Sequence, residues 1–591
     1  MIVARIRFSS ITRIEAGGEG ICKGWRQESR NQAIDVPKPA PAASANLAPR
    51  RRRQFRAAVR FEETGLRRLL QRLAALSPDV LRGIRRGIEK ESLRVTPDGQ
   101  LASTPHPVGL GSALTHPHIT TDFSESQLEL VTGVHNDIES CLDELTRIHQ
   151  AVYRHLGDEM MWAASMPCRL PADDQIPIGQ YGSSNVGRAK HVYRTGLSNR
   201  YGRHMQTISG IHYNFSLPDA AWPLLQRAAG DDGDPTAFRN AAYFGLIRNF
   251  RRHAWLPLYL FGASPAVCAS FVAGRAHRLQ PLGAGTMYLP HGTSLRMGPL
   301  GYQSDAQASL AVSYNSLSRY ASSLEVALTQ PYPPYEAIGI TDEEGAYRQL
   351  STSLLQIENE FYGTIRPKRP VRPGERPLHA LNDRGIEYVE VRLIDLDPFC
   401  PIGICADTMR FFDIFLLHCL LATSADDSAD EIVFNARNQH DVAERGRERD
   451  LRLHTPDRDV SLIDWGSRIL GECAPIATAL DAASGSSAHV NALLSAYAAL
   501  ADPSLVPSAR VLDEVVSGHD KSWISFARAM SARHRDAIRA MPFDSRSLQG
   551  FDDMARASLD QQREIEAADA EPFETYRQHY LAQDLFPRQR A

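Results

Sequence analysis

Residues 210–218, Gly-Ile-His-Tyr-Asn-Phe-Ser-Leu-Pro, alternate without a break: Ile211, Tyr213, Phe215 and Leu217 are apolar, and His212, Asn214 and Ser216 are polar. A period of two predicts a β-strand with one face in the core and His212 and Asn214 on the other. Neighbouring segments repeat the pattern with acids on the polar face. In GIEKESLRV (87–95), Glu89 and Glu91 are two apart and point the same way, and in HITTDFSESQLELVTGV (118–134), Leu128 and Leu130 oppose Glu129, with Asp122 upstream. LLQIENEFY (354–362) reads as a fourth strand with Gln356, Glu358 and Glu360 together. IEYVEVRLIDL (386–396) reads as a fifth, setting Glu390 and Arg392 opposite Val389, Val391 and Leu393.

A solvated sheet face mixes signs and favours Thr, Lys and Ser, whereas carboxylates gathered on one surface repel each other unless cations neutralise them. Acids with one imidazole and one amide predict a face that holds more than one hard divalent cation, Mg²⁺ or Mn²⁺ in preference to a tetrahedral zinc. Such cations most often hold phosphates. Neither a P-loop nor a GxGxxG after a strand is present, so a Walker or Rossmann nucleotide site is not expected. Cationic groups must then clamp a transferring phosphoryl group, and the candidates are Arg366, Lys368 and Arg369 in IRPKR, with Arg392 and Arg252; a solvated basic turn competes for IRPKR, and Pro367 and Pro370 stiffen the segment in favour of a fixed clamp.

Around this core the 591-residue chain is 43% hydrophobic and 23% charged, which excludes a disordered, collagen-like or membrane-embedded protein. The net charge of −3 hides an asymmetry: residues 1–60 hold 13 Lys and Arg against 4 Asp and Glu, the remainder 53 against 65. Eight scattered cysteines without CxxC exclude a zinc ribbon or a disulfide scaffold. Residues 254–274 carry no charge, but Pro257, Gly262 and Pro265 break them, so they are read as core and no membrane span is expected. Residues 1–57, Gly-rich, then Pro- and Ala-rich, then Arg50 to Arg53, are expected to be a disordered basic leader. A transit peptide, a nucleic-acid-binding arm and translated sequence upstream of the real start compete for it. Glu15, Glu19, Glu28 and Asp35 weigh against the first, and the absence of a Met between Met1 and Met160 leaves room for a start near Val59. Residues 58–403 are read as a sheet domain carrying the chemistry, and 404–591 as a mostly helical part of the same unit. Residues 424–460 are read as a surface excursion.

Several of these segments, with SNVGRAKHVYRTGLSNRYGRHMQTISGIHYNFS (184–216), LFGASPAVC (260–268) and DPFCPIG (397–403), resemble the proteobacterial type of glutamate–cysteine ligase. The resemblance is dense from Leu81 to Gly403 and looser beyond. It implies an α+β fold, a glutamine-synthetase-like antiparallel sheet curved into a half-funnel with surrounding and C-terminal helices. The implied reaction joins the γ-carboxylate of L-glutamate to the amine of L-cysteine through a γ-glutamyl phosphate, with ATP converted to ADP and phosphate, as the first step of glutathione biosynthesis. Residue by residue, it implies that Glu89, Glu91, Asp122, Glu129, His212 and Glu358 ligate Mg²⁺, and that Tyr193, Leu197, Arg252 and Tyr259 form the cysteine pocket, with Asn214 also binding substrate. Arg366, Lys368 and Arg392 would stabilise phosphoryl oxygens, and Glu358 or Glu390 would take the amine proton. Inhibition by glutathione is implied as well; a monomer is expected, and the absence of a credible span or secretory leader points to the cytoplasm. The segment YLPHGTSLRMG (288–298) departs from the family pattern. A ligase for another amine, and a nucleic-acid-binding protein using the Arg50 to Arg53 arm, are the alternatives; the acidic body opposes the second.

Overall fold

The computed structural model describes residues 65–301, 305–308, 310–372 and 374–582. The leader, and with it the arginine arm and the start near Val59, lies outside the described residues. Residues 62–591 form one compact unit, and a single core cluster draws from both sides of position 404, from Leu69 to Ile538.

The fold is α+β. Its main sheet comprises β1 (Arg85–Val95), β2 (Ile119–Thr121), β3 (Gln127–Val131), β4 (Met160–Met161), β5 (Ile211–Ser216), β6 (Ile365–Lys368) and β7 (Tyr388–Ile394). The order is β2-β3-β1-β5-β7-β6, with β4 paired to the end of β1, and every pairing is antiparallel. The sheet is open and does not close into a barrel. Helices used below are α1 (Ile138–His155), α2 (Asn185–Tyr201), α3 (Pro235–His253), α4 (Trp255–Phe261), α5 (Ala406–Leu421), α6 (Ala429–Arg445), α7 (Leu462–Ser484), α8 (Trp523–Ala540) and α9 (Phe573–Leu581).

Period-two alternation divides the sheet into two chemically distinct faces. Ile88, Leu128, Leu130, Tyr213, Phe215, Val389 and Val391 turn inward and are buried against α1, α3 and α5. Each such side chain contributes roughly 1.5–3 kcal/mol by leaving water. Helix α5 is buried on every side from Phe411 to Leu421, which explains why its sequence shows no polar stripe. The one carboxylate in that stretch, Asp413, meets Arg86 of β1 at 2.9 Å and accepts the Tyr213 hydroxyl of β5 at 2.7 Å. Lys90, between Glu89 and Glu91, also points to this side and lies 2.7 Å from Nε2 of His149 on α1. Nδ1–H of His149 donates to Leu145 O, so Nε2 accepts from the lysine.

Three expectations are corrected. LLQIENEFY is not a strand: residues 354–357 run irregularly and Glu358–Glu360 form a single 3₁₀ turn. IRPKR is not a turn but the edge strand β6, where Pro367 is tolerated because only one side of an edge strand is paired. Residues 424–460 are not a surface excursion, since they supply α6, which packs on α4. The uncharged stretch 254–274 becomes the short helix α4, a strand and a 3₁₀ turn, and no helix among the described residues is long and apolar enough to cross a membrane.

Because Asp413 ties two central strands to the helix behind them, Asp413→Ala removes a carboxylate from beside a buried guanidinium. The expected cost is about 3–5 kcal/mol in denaturant unfolding. A change under about 1 kcal/mol would show that the sheet does not depend on this tie.

Candidate active site

The face opposite the core collects Glu89 and Glu91 from β1, Glu129 from β3, His212 and Asn214 from β5, Arg366 and Lys368 from β6, and Glu390 and Arg392 from β7. Antiparallel register sets Glu91 across from Glu129, Glu89 from His212, and Glu390 from both Asn214 and Arg366. His212 is central. Its Nδ1 lies 3.0 Å from Glu89 and 4.0 Å from Glu390, and its Nε2 is 3.4 Å from Glu91. Asn214 donates to Glu89 at 2.9 Å.

Crowding and burial set the charges. Burial and Asp122 raise the Glu91 carboxyl, and burial with Asp122, Glu89 and Glu91 pushes Glu129 well above the usual carboxylate range. Burial and Glu390 act against Glu89, but the His212 hydrogen bond, the His212 charge and Lys368 outweigh them and hold it low. Glu390 is driven upward by burial, yet Lys368 at 3.1 Å, Arg392 at 3.2 Å, His212 and Arg366 hold it well below its ordinary value. The sheet face therefore grades from protonation-prone Glu91 and Glu129 to the cation-stabilised carboxylates Glu89 and Glu390.

A β-bulge decides where Arg392 points. Val391 pairs with Tyr213 and Ile394 with Ile211, so three steps on β7 match two on β5. At the bulge Arg392 N–H donates to Thr364 O at 2.8 Å, and the guanidinium swings to 3.3 Å from His212 Nδ1. Arg392 O accepts from Arg296 Nη2 at 2.7 Å. Arg296, from the atypical segment SLRMG, is a site residue that sequence reading missed. It is buried, its charge acts on Glu91, and a side chain at Gly210 would sit 2.1 Å from its Nη2. Arg296 and Arg392 line a cleft of about 340 Å³ together with Tyr314, Tyr362 and, from α6, Asn435 and Gln439.

Helix α2 bounds the acidic face. Ser184 caps it by accepting from Gly187 N–H, and Arg194 stacks 4.5 Å over Tyr181 while donating to Asp122 O. Leu197 is buried and Tyr193 packs beside it, close to Tyr362, Glu360 and Arg366. Arg366 spends Nη2 on the carbonyls of Asn359 and Phe361, so it anchors the loop before β6, and its Nη1 lies 3.9 Å from Glu390.

Three expected site residues are not brought to this face. Glu358 sits in the 3₁₀ turn, where its carboxylate binds Arg376 at 2.9 Å and accepts from Leu378 N–H. Glu390 occupies the position expected of Glu358: Glu89, His212 and Glu390 each offer a ligand atom within 4.8 Å of the others. Arg252, at the end of α3, is paired with Glu431 at 2.5 Å and with Ser424. Tyr259 is buried in α4 with its hydroxyl on Ala499 O. Neither is among the residues that line the cleft. Glu358→Gln takes the charge from beside Arg376 and is expected to cost about 3 kcal/mol in urea unfolding. An unchanged midpoint would contradict this structural role.

The donor set fits a hard divalent cation. His212 Nε2 and Asn214 Oδ1 are buried and accept no hydrogen bond, and the carboxylates around them would repel one another without a cation.

Comparison with known proteins agrees. The model of the family "glutamate-cysteine ligase" matches residues 70–442. The chain is 48% identical over 520 residues to the glutamate–cysteine ligase of Pseudomonas putida, covering 88% of this chain and 98% of that one. It is 46% identical over 524 residues to that of Alcanivorax borkumensis, covering 87% and 100%. A crystal structure of glutamate–cysteine ligase from Francisella tularensis in complex with AMP superposes with a TM-score of 0.80 at 35% identity, covering 84% of this chain and 97% of that one. By sequence and by fold, the chain belongs to the glutamate–cysteine ligase family.

Proposed function

We propose that this chain joins the γ-carboxylate of L-glutamate to the amine of L-cysteine, converting ATP to ADP and phosphate, and so performs the first step of glutathione biosynthesis in the cytoplasm. The observation that supports this reading is the cluster of Glu89, His212 and Glu390 beside Lys368 and Arg392 on one acidic sheet face.

A carboxylate is a poor electrophile toward an amine, so the γ-carboxylate first takes the terminal phosphoryl group of ATP as an acyl phosphate. Three anionic partners must then share one site. Glu89, Glu91, Asp122, Glu129, His212 and Glu390 are the residues that would hold Mg²⁺ or Mn²⁺, with Asn214 orienting Glu89. Bound there, the ions neutralise phosphate charge and polarise the phosphoryl oxygens. Lys368 and Arg392 face the same point and stabilise equatorial oxygens, while Arg366 fixes the loop that carries Tyr362. Arg392 and Arg296 give the cleft the positive charge that an amino-acid carboxylate requires. Tyr193, Leu197 and Tyr362 supply an apolar wall suited to a thiol side chain.

Neither carboxylate proposed from sequence suits the proton of the attacking amine. Glu358 is committed to Arg376, and Glu390, held low by its cations, is a weak base. No protein nucleophile is needed. Inhibition by glutathione belongs to the same reading.

The test is ATP-dependent formation of γ-glutamylcysteine from glutamate, cysteine and Mg²⁺, with α-aminobutyrate as a thiol-free amine. Glu89→Ala and Glu129→Ala should each lower phosphate release at least about a hundredfold while the far-UV circular dichroism is unchanged. Wild-type turnover in either variant would sink the assignment. Chelation should abolish product formation in the parent protein and added Mg²⁺ should restore it; a ligase indifferent to EDTA would remove the cation from the account. Preference for an amine unrelated to cysteine would leave the ligase and change its substrate.

A further inference from the structure

The segment YLPHGTSLRMG (288–298), atypical of the family, ends in a 3₁₀ turn, Leu295–Met297, that brings Arg296 into the wall of the cleft. The polar residues around that turn, Ser264, Thr293, Ser294 and Asp395, are all buried with it, so the protein and not water must satisfy them. Asp395 follows directly on β7. Its Oδ2 accepts from Ala263 N–H at 2.9 Å, its Oδ1 accepts the Ser294 hydroxyl at 3.0 Å, and the same Oδ1 lies 3.9 Å from Arg296 Nη1. Arg296 Nη2 donates to Arg392 O at 2.7 Å, and Nη1 also lies 3.3 Å from Met297 Sδ. The end of β7 thus holds the guanidinium at two points three residues apart, a carbonyl and a carboxylate.

The turn that carries Arg296 is fixed just as firmly. Ser294 Oγ accepts from Met297 N–H at 3.3 Å while donating to Asp395, so one hydroxyl caps the turn and orients the acid. Leu295 N–H donates to Ser264 O at 2.7 Å, and the N–H groups of Thr293 and Ser294 both donate to Ala443 O of α6, at 2.8 and 3.2 Å. On the far side Gly210 leaves no slack, since a Cβ there would lie 2.1 Å from Arg296 Nη2.

Asp395 has no contact with the cleft itself, because it is not among the residues that line it. Hydrogen bonds from Ala263 and Ser294 would suit a neutral amide as well as an acid. A carboxylate buried this deeply needs a cation beside it, and Arg296 supplies one.

We propose that Asp395 is a positioning residue for the ligase reaction: with Ser294 it holds the Arg296 guanidinium so that its charge faces the carboxylate of an amino-acid substrate in the cleft. This role rests on the ligase reading given above and adds to it the group that sets the arginine. A cation held from behind needs no reordering when the substrate carboxylate arrives, and a carboxylate that takes no part in the chemistry is bound equally before and during reaction. Loss of the acid therefore shows in substrate affinity more than in turnover.

The test measures initial rates of ADP formation by the full chain with Mg²⁺, varying glutamate, cysteine and ATP in turn. Asp395→Asn keeps the shape and the acceptor for Ala263 N–H and removes the charge. The KM of one amino-acid substrate should rise about tenfold, with kcat within about threefold and the KM of ATP within about twofold of the parent. A merely structural defect lowers the fraction of active enzyme, hence kcat, and leaves every KM alone. Arg296→Gln should raise the same KM, and adding Asp395→Asn to it should change that KM no further, because the two residues act as one unit. Ser294→Ala keeps both charges, releases Oδ1 and should raise that KM about threefold. A parent chain that makes no γ-glutamylcysteine ends the ligase reading and this proposal together. With an active parent, KM values in Asp395→Asn that all stay within about twofold overturn the positioning role alone, as does a further rise of about tenfold on adding Asp395→Asn to Arg296→Gln. Where Asp395→Asn fails to fold, an unmoved KM in Ser294→Ala overturns it.

Discussion

Everything about this protein's site follows from placing like charges on one face of an antiparallel sheet. Glu89 and Glu91 share a strand and a side, and pairing with β3 and β5 adds Glu129 and His212 within a few ångströms. In a partly buried setting such acids cannot all ionise unaided. The protein answers differently at the two ends of the face. At β7 it supplies its own cations, Lys368 and Arg392, and Glu390 stays ionised. At β3 it supplies fewer, and Glu129 is pushed toward its protonated form. A divalent cation bound to such a face would release repulsion already built into the fold.

The opposite face makes that arrangement affordable. Alternation sends Ile88, Leu128, Tyr213 and Val391 into the core from the same strands that carry the acids, so burial on one side offsets repulsion on the other. The tie from Asp413 to Arg86 and Tyr213 fixes β1 and β5 to α5, which limits how far the strands can separate under that repulsion. The bulge in β7 is the local departure from regularity. It uses one unpaired step to turn Arg392 toward His212 and to offer its carbonyl to Arg296, joining the metal-fitting face to the adjoining cleft.

Legibility in the sequence tracked regularity. Where side chains alternate on a paired strand, the period alone identified the face: Glu89, Glu91, Glu129, His212, Asn214 and Glu390 all lie where alternation put them, whereas Arg392 reaches it at the bulge. It failed where alternation is coincidental. Gln356, Glu358 and Glu360 are spaced like strand residues, but Gln356 N–H and Tyr201 bind Glu360 while Arg376 takes Glu358, and these separate partners hold an irregular turn. Arg252 and Tyr259 were placed in the pocket by resemblance, and nothing local in their helices says which side meets a cleft. Arg296 and the wall supplied by α6 depend on contacts between segments far apart in sequence, so no window of neighbouring residues contains them.

Glu390 shows how a partner changes the meaning of a residue. From sequence it is a candidate proton acceptor, as any carboxylate near an amine substrate would be. Four positive or potentially positive groups surround it, and each favours the carboxylate over the acid. Such stabilisation weakens a base in proportion to the shift it causes. The same geometry leaves a negative oxygen close to His212 Nδ1 and to Glu89, which is what a cation ligand requires. Lys368 and Arg392 thus keep Glu390 ionised, and in the proposed reaction the same two cations would stand beside the phosphoryl oxygens.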